Sequence, residues 1–94
     1  MANEISIRIY VLDEQGRAHD TNETFGIESF AGQIPAIGDT ILDPGVLSHL
    51  DRSDPTNRRV WTVRNRVFNP RDLQDYVTLI VEEREGSRAD PWAY

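Results

Sequence analysis

Apolar and polar residues alternate most regularly in two runs, Val60-Trp61-Thr62-Val63-Arg64-Asn65-Arg66-Val67-Phe68 and Tyr76-Val77-Thr78-Leu79-Ile80-Val81. A period of two marks strands, whose successive side chains point to opposite faces. The pattern predicts Trp61, Val63 and Val67 on one face of the first run, and Val77, Leu79 and Val81 on one face of the second. Asn69-Pro70-Arg71-Asp72 carries turn chemistry between them, so residues 60–81 read as a hairpin. Asn65 interrupts the apolar face. A buried amide without a partner costs on the order of 1–3 kcal/mol, so this position is expected to mark a bulge where the amide caps a stray backbone group, in preference to a ligand contact inside a barrel.

The same period appears at the N-terminus, where Ile5, Ile7, Ile9 and Val11 alternate with Ser6, Arg8, Tyr10 and Leu12, predicting a first strand over residues 4–13. Asp13-Glu14-Gln15-Gly16 ends it, because glycine takes positive φ without steric cost. A second strand is expected over residues 24–30, with Gly26 as a bulge. Pro35 and Gly38-Asp39 supply a turn before a short strand at Thr40-Ile41-Leu42. Asp43 and Pro44 have the chemistry of an N-cap and first helical position, so a short helix carrying Val46, Leu47 and Leu50 is expected next. Asp51–Asn57 reads as a polar loop.

With 94 residues the chain is long enough for one domain with one modest core. The expected division is a β domain over residues 1–84 and a flexible tail over 85–94, where Gly, Ser and Pro break the periodicity. Several short strands with one short helix predict a mainly β fold: a small antiparallel, partly open barrel of about four to six strands. Cysteine is absent, which excludes disulfides and thiolate metal sites.

The formal net charge of −6 works against phosphate backbones and anionic membranes. No apolar run approaches the ~20 residues of a membrane-spanning helix. The N-terminus lacks the basic, apolar and small-residue blocks of a secretory signal, so a cytoplasmic location is expected.

Within this acidic chain the arginines gather in the hairpin. Arg64 and Arg66 are expected to share a face with Thr62 and Phe68, and Arg8 and Tyr10 extend that patch if the first strand lies alongside. Arginine forks bind carboxylate and phosphate, and an aromatic neighbour adds a stacking surface. The competing expectation is a solvated face whose arginines form weak pairs with Glu82, Asp75 or Glu23, and it carries more weight because arginine is a common outward-facing strand residue. A second candidate is the tail, where Trp92 and Tyr94 either dock a partner or seal the end of the barrel.

His19 and His49 stand in separate predicted loops without metal-ligand spacing, and no metal or cofactor is expected. Ser48-His49 adjacency does not make a catalytic triad, and neither a nucleophile elbow nor a phosphate-cradling glycine loop is present. Enzymatic activity is not expected.

Ile34-Pro35-Ala36-Ile37-Gly38-Asp39-Thr40-Ile41, followed by Val60-Trp61-Thr62-Val63 and Tyr76–Val81, resembles a loose group of short bacterial and phage proteins of unknown function. Their shared pattern is a Pro-x-x-Gly-Asp turn, a strand with an Arg/His-x-Phe ending, and a final apolar strand. The likeness covers residues 34–82, and Trp61–Phe68 departs from it by one position in the Arg-to-Phe interval. The resemblance implies an SH3-like small barrel and no activity. The leading expectation is therefore a non-enzymatic module that binds a protein partner or itself. A small anionic ligand or nucleotide at Arg64, Arg66, Arg8 and Tyr10 is the alternative, and single-stranded nucleic acid comes third.

Overall fold

The computed structural model describes residues 4–90. Five strands, β1 (Ser6–Leu12), β2 (Ala18–Gly26), β3 (Thr40–Leu42), β4 (Arg59–Asn69) and β5 (Leu73–Glu85), form one open sheet in the order β2-β1-β5-β4-β3. The mainly β, unclosed architecture agrees with the periodicity. One pairing departs from the antiparallel expectation: β1 runs parallel to β5, with Ile7 beside Val77 and Ile9 beside Leu79. Hairpins impose antiparallel neighbours only on consecutive strands, and β1 and β5 are the first and last.

The core lies on one face of this sheet. Ile7 and Ile9 from β1, Trp61 and Val63 from β4, and Val77, Leu79 and Val81 from β5 are all but inaccessible to water. Ile27, Phe30 and Ile34, from the segment linking β2 to β3, pack over them. Phe25 and Phe30 meet edge to face with centroids 5.7 Å apart, a geometry suited to the ring quadrupoles. Trp61 is 1% exposed, and its indole N–H donates to Glu83 Oε2 at 2.9 Å, so its one polar atom is satisfied.

The β4–β5 hairpin forms as predicted, and so does the bulge: pairing steps from Val63–Val81 to Asn65–Ile80. The extra residue changes the face of everything that follows it. Val67 therefore leaves the core face and is 44% exposed, contrary to the expectation from simple alternation. Arg66 and Phe68, opposite Leu79 and Val77, move to the core side of the sheet but lie beyond the packed core.

Two further expectations are corrected. The second strand spans Ala18–Gly26, and residues 27–30 form a single 3-10 turn. β2 is an exposed edge and carries little apolar alternation; its position follows from the Asp13–Arg17 turn, closed by the Asp13 N–H donating to the Arg17 carbonyl at 2.8 Å, with Gly16 at φ 79°. Its irregularity lies at residues 21–23, where Asn22 takes φ 62°, and Gly26 is regularly paired with Ser6.

Residues 43–50 form no helix. Asp43 does accept a backbone N–H, that of Gly45 at 2.8 Å, but this closes a local turn, the competing use of an aspartate at a would-be N-cap. A second 3-10 turn stands at Pro55–Asn57 instead, capped by Asp54. After β5 the Gly86 N–H donates to the Arg58 carbonyl at 2.7 Å, and Asp90 is buried against Arg84 and Ser87.

Candidate functional site

The sheet distributes the sequence-selected residues over different surfaces. Arg8 and Tyr10, on β1, face away from the core. The Arg8 fork is taken up: Nε and Nη2 reach Asp20 at 2.8 and 2.7 Å, Nη1 reaches Thr24 at 2.8 Å, and Nη2 also reaches Asn22. These bonds hold the Asp20 carboxyl below the usual range. Arg64, at the bulge, pairs with Glu82 at 2.8 Å.

Arg66 does not share the face of Arg64, because the bulge turns it over. Its guanidinium lies 5.7 Å from the Phe68 ring centroid, within cation–π range. The expected Arg8–Tyr10–Arg64–Arg66 patch is thus split between two faces, with Arg8 and Arg64 neutralised by carboxylates. Trp92 and Tyr94 lie outside the described residues.

What the fold brings together instead is an arm. Beyond the bulge, residues 64–75 are exposed throughout, and Val67, Phe68 and Leu73 are its large apolar side chains. Among the described residues Arg66 and Arg71 form no ion pair. β3 begins opposite Thr62, and the turn before it covers Val63 through the Val63 N–H to Asp39 carbonyl bond at 3.0 Å. On the side away from β5, no strand lies beside β4 from Arg64 onward among the described residues. The Arg66 N–H points off the ladder into the Asn65 Oδ1 at 2.9 Å, and alternation places the backbone groups of Phe68 on the same outer edge.

The other edges are defended. β2 is broken by its bulge and carries His19, Asp20 and Glu23, while β3 is three residues long; irregularity, charge and shortness each disfavour edge pairing. Phe68, Val67 and Leu73 were not recognised as a site in the sequence. Their signal was present, since a bulge at Asn65 already implies that Val67 points outward.

The histidines do not meet. His19, in β2 and not in a loop, bonds Asp13 at 2.6 Å, which holds the Asp13 carboxyl low. His49 is exposed in the irregular segment. Among the described residues no three His, Asp or Glu side chains converge as metal ligands, and no helix is long and apolar enough to cross a membrane. No protein-family model, curated protein or solved structure matches the chain.

Proposed function

We propose that this chain is a non-enzymatic binding module that associates with a second copy of itself through the outer edge of the β4 arm. The observation that carries this reading is the coincidence, on one short segment, of an uncovered strand edge, three exposed apolar side chains and two arginines that form no ion pair among the described residues. An edge with these properties is a template for strand addition.

A two-fold axis at Val67 is the register that suits the arm. It sets Val67 against its own copy and Arg66 against Phe68 of the second copy, repeating across the interface the cation–aromatic contact made within the arm. Arg66 and Phe68 both carry outward backbone groups, so the register also pairs donors with acceptors. Such a contact buries far less than the ~1,200–2,000 Å² of a standard stable interface, so the association is weak, with Kd in the micromolar range or above.

Sedimentation velocity over a concentration series tests it. A dimer fraction that rises with concentration and disappears in Val67→Lys, with the circular dichroism spectrum retained, is the expected result. A wild-type chain that stays monomeric at about 1 mM, or a dimer indifferent to Val67→Lys, overturns it. The alternative anion site at Arg8, Tyr10, Arg64 and Arg66 has less support, because Asp20 and Glu82 already occupy two of its cations. The same division weakens the single-strand nucleic-acid reading, which needs a continuous basic groove.

A further inference from the structure

Arg58 stands apart from the other arginines. It is 7% exposed, yet it makes no ion pair among the described residues. Its Nη1 and Nη2 donate to the carbonyls of Arg52 and Asp43, both at the long distance of 3.3 Å. Its Nε is buried with no hydrogen-bond partner, the only such side-chain atom among the described residues. A guanidinium cannot shed its charge at any ordinary pH, so burial without a counter-charge carries a desolvation cost that neutral carbonyls offset only in part. A buried donor left unmade in this way calls for a specific explanation.

Arg58 lines a half-open recess of about 500 Å³ together with Val46, Leu47, Leu50, Thr56 and Asn57, a volume within the range of small-molecule pockets. Val46, Leu47 and Leu50 give it an aliphatic side, and Thr56, Asn57 and Arg58 a polar one. Glu85 and Arg59 also reach the rim, and Arg59 is engaged by Glu83 at 3.2 Å. The walls come from the 43–58 segment, whose shape depends on Asp43, Asp51 and Asp54 each closing a local turn.

We propose that this recess binds a small monoanionic carboxylate with an apolar body, the carboxylate meeting Arg58 and the body lying on Val46, Leu47 and Leu50. A carboxylate matches the planar fork of arginine. A single charge suits a site with Glu85 at its rim in a chain of net charge −6 better than a phosphate dianion does. This site is separate from the β4 arm and stands whether or not the chain self-associates.

The experiment is an amide-resolved NMR titration of the full chain with phenylacetate, with benzyl alcohol and inorganic phosphate as comparison probes. Saturable shifts at Val46, Leu50 and Thr56–Arg59 with Kd of about 1 mM or tighter are expected for phenylacetate, and binding about tenfold weaker for the other two. Arg58→Gln should abolish the shifts. Because that variant risks the fold, Leu47→Asp, at a position 65% exposed, serves as the second; it should weaken phenylacetate at least about tenfold while leaving the spectrum otherwise native. Absence of shifts at these amides, equal affinity for benzyl alcohol or phosphate, or undiminished binding in Leu47→Asp would overturn the proposal.

Discussion

Asn65 caps its own neighbour: its side-chain Oδ1 accepts the backbone N–H of Arg66 at 2.9 Å, at the point where the β4–β5 register slips. The bulge and the cap act as one device. The slip re-aims the arm, and the amide occupies a donor that the slip leaves on the open edge. Asn65→Ala removes the cap without moving the backbone. Water replaces the lost acceptor at this exposed site, so stability in urea is expected to fall by only about 0.5–1 kcal/mol. Hydrogen exchange at the Arg66 amide should accelerate, and the concentration-dependent association proposed for the arm should strengthen. Unchanged exchange at Arg66 would show that the cap does not hold in solution.

Gly86 is required where it stands for steric reasons. A Cβ there would overlap the carbonyl oxygen of Pro55 and crowd that of Arg58, both backbone atoms that cannot rotate away. Gly86→Ala should therefore force β5 off the 55–58 turn and cost about 1–3 kcal/mol. Gly45→Ala is the contrast, since the added carbon would meet only the Asp43 side chain, and it should stay within about 0.5 kcal/mol of wild type. Parallel urea denaturation curves check both.

Trp61 combines the largest core side chain with a polar anchor at Glu83. Trp61→Ala should cost about 3–5 kcal/mol, enough to threaten the fold of a domain this size. Trp61→Phe keeps most of the packing and loses the indole donor, for a smaller cost. Glu83→Gln keeps an acceptor for the indole and should be the mildest, because the Arg59–Glu83 pair is partly exposed to water, which screens it. A Glu83→Gln change as damaging as Trp61→Ala would show that polar anchoring, and not burial, dominates at this position.

Asp90 makes the stability of the C-terminal end depend on acid. Two hydrogen bonds from Arg84, at 2.8 and 3.0 Å, and one from the Ser87 N–H, at 2.9 Å, hold its carboxyl at about 2. The unfolded carboxyl titrates near the ordinary value of about 3.9, so the folded state binds the proton more weakly. The stabilisation is complete above that ordinary value and is lost as pH falls through the folded value. Melting temperatures measured from neutral pH down to about pH 2 should drop more steeply for wild type than for Asp90→Asn, with the two curves converging at the acid end. Parallel curves would show that Asp90 contributes nothing through its charge.

Periodicity is legible where a strand has one wet and one dry face, and it was sufficient for β1, β4 and β5, and for Ile7, Ile9, Trp61, Val63, Val77, Leu79 and Val81 as the core. Asn65 announced its bulge because a polar residue broke an otherwise apolar face. β2 was misplaced because an edge strand with polar residues on both faces has no contrast for periodicity to report. The helix expected after Asp43 rested on local capping chemistry alone, which a turn satisfies equally well.

The candidate sites divide in the same way. That the hairpin is rich in arginine is plain from the chain, and local alternation assigned the core strands their faces, since burial of one side is a property each segment carries in its own residues. Which arginine meets a carboxylate, which stacks on Phe68 and which is buried beside a recess was decided by tertiary structure. Those outcomes depend on a one-residue slip in register and on segments far apart in sequence, such as 43–58 and 85–86, arriving side by side; Arg58 and Arg59 are indistinguishable until the junction of the 3-10 turn with β4 buries the first and leaves the second exposed.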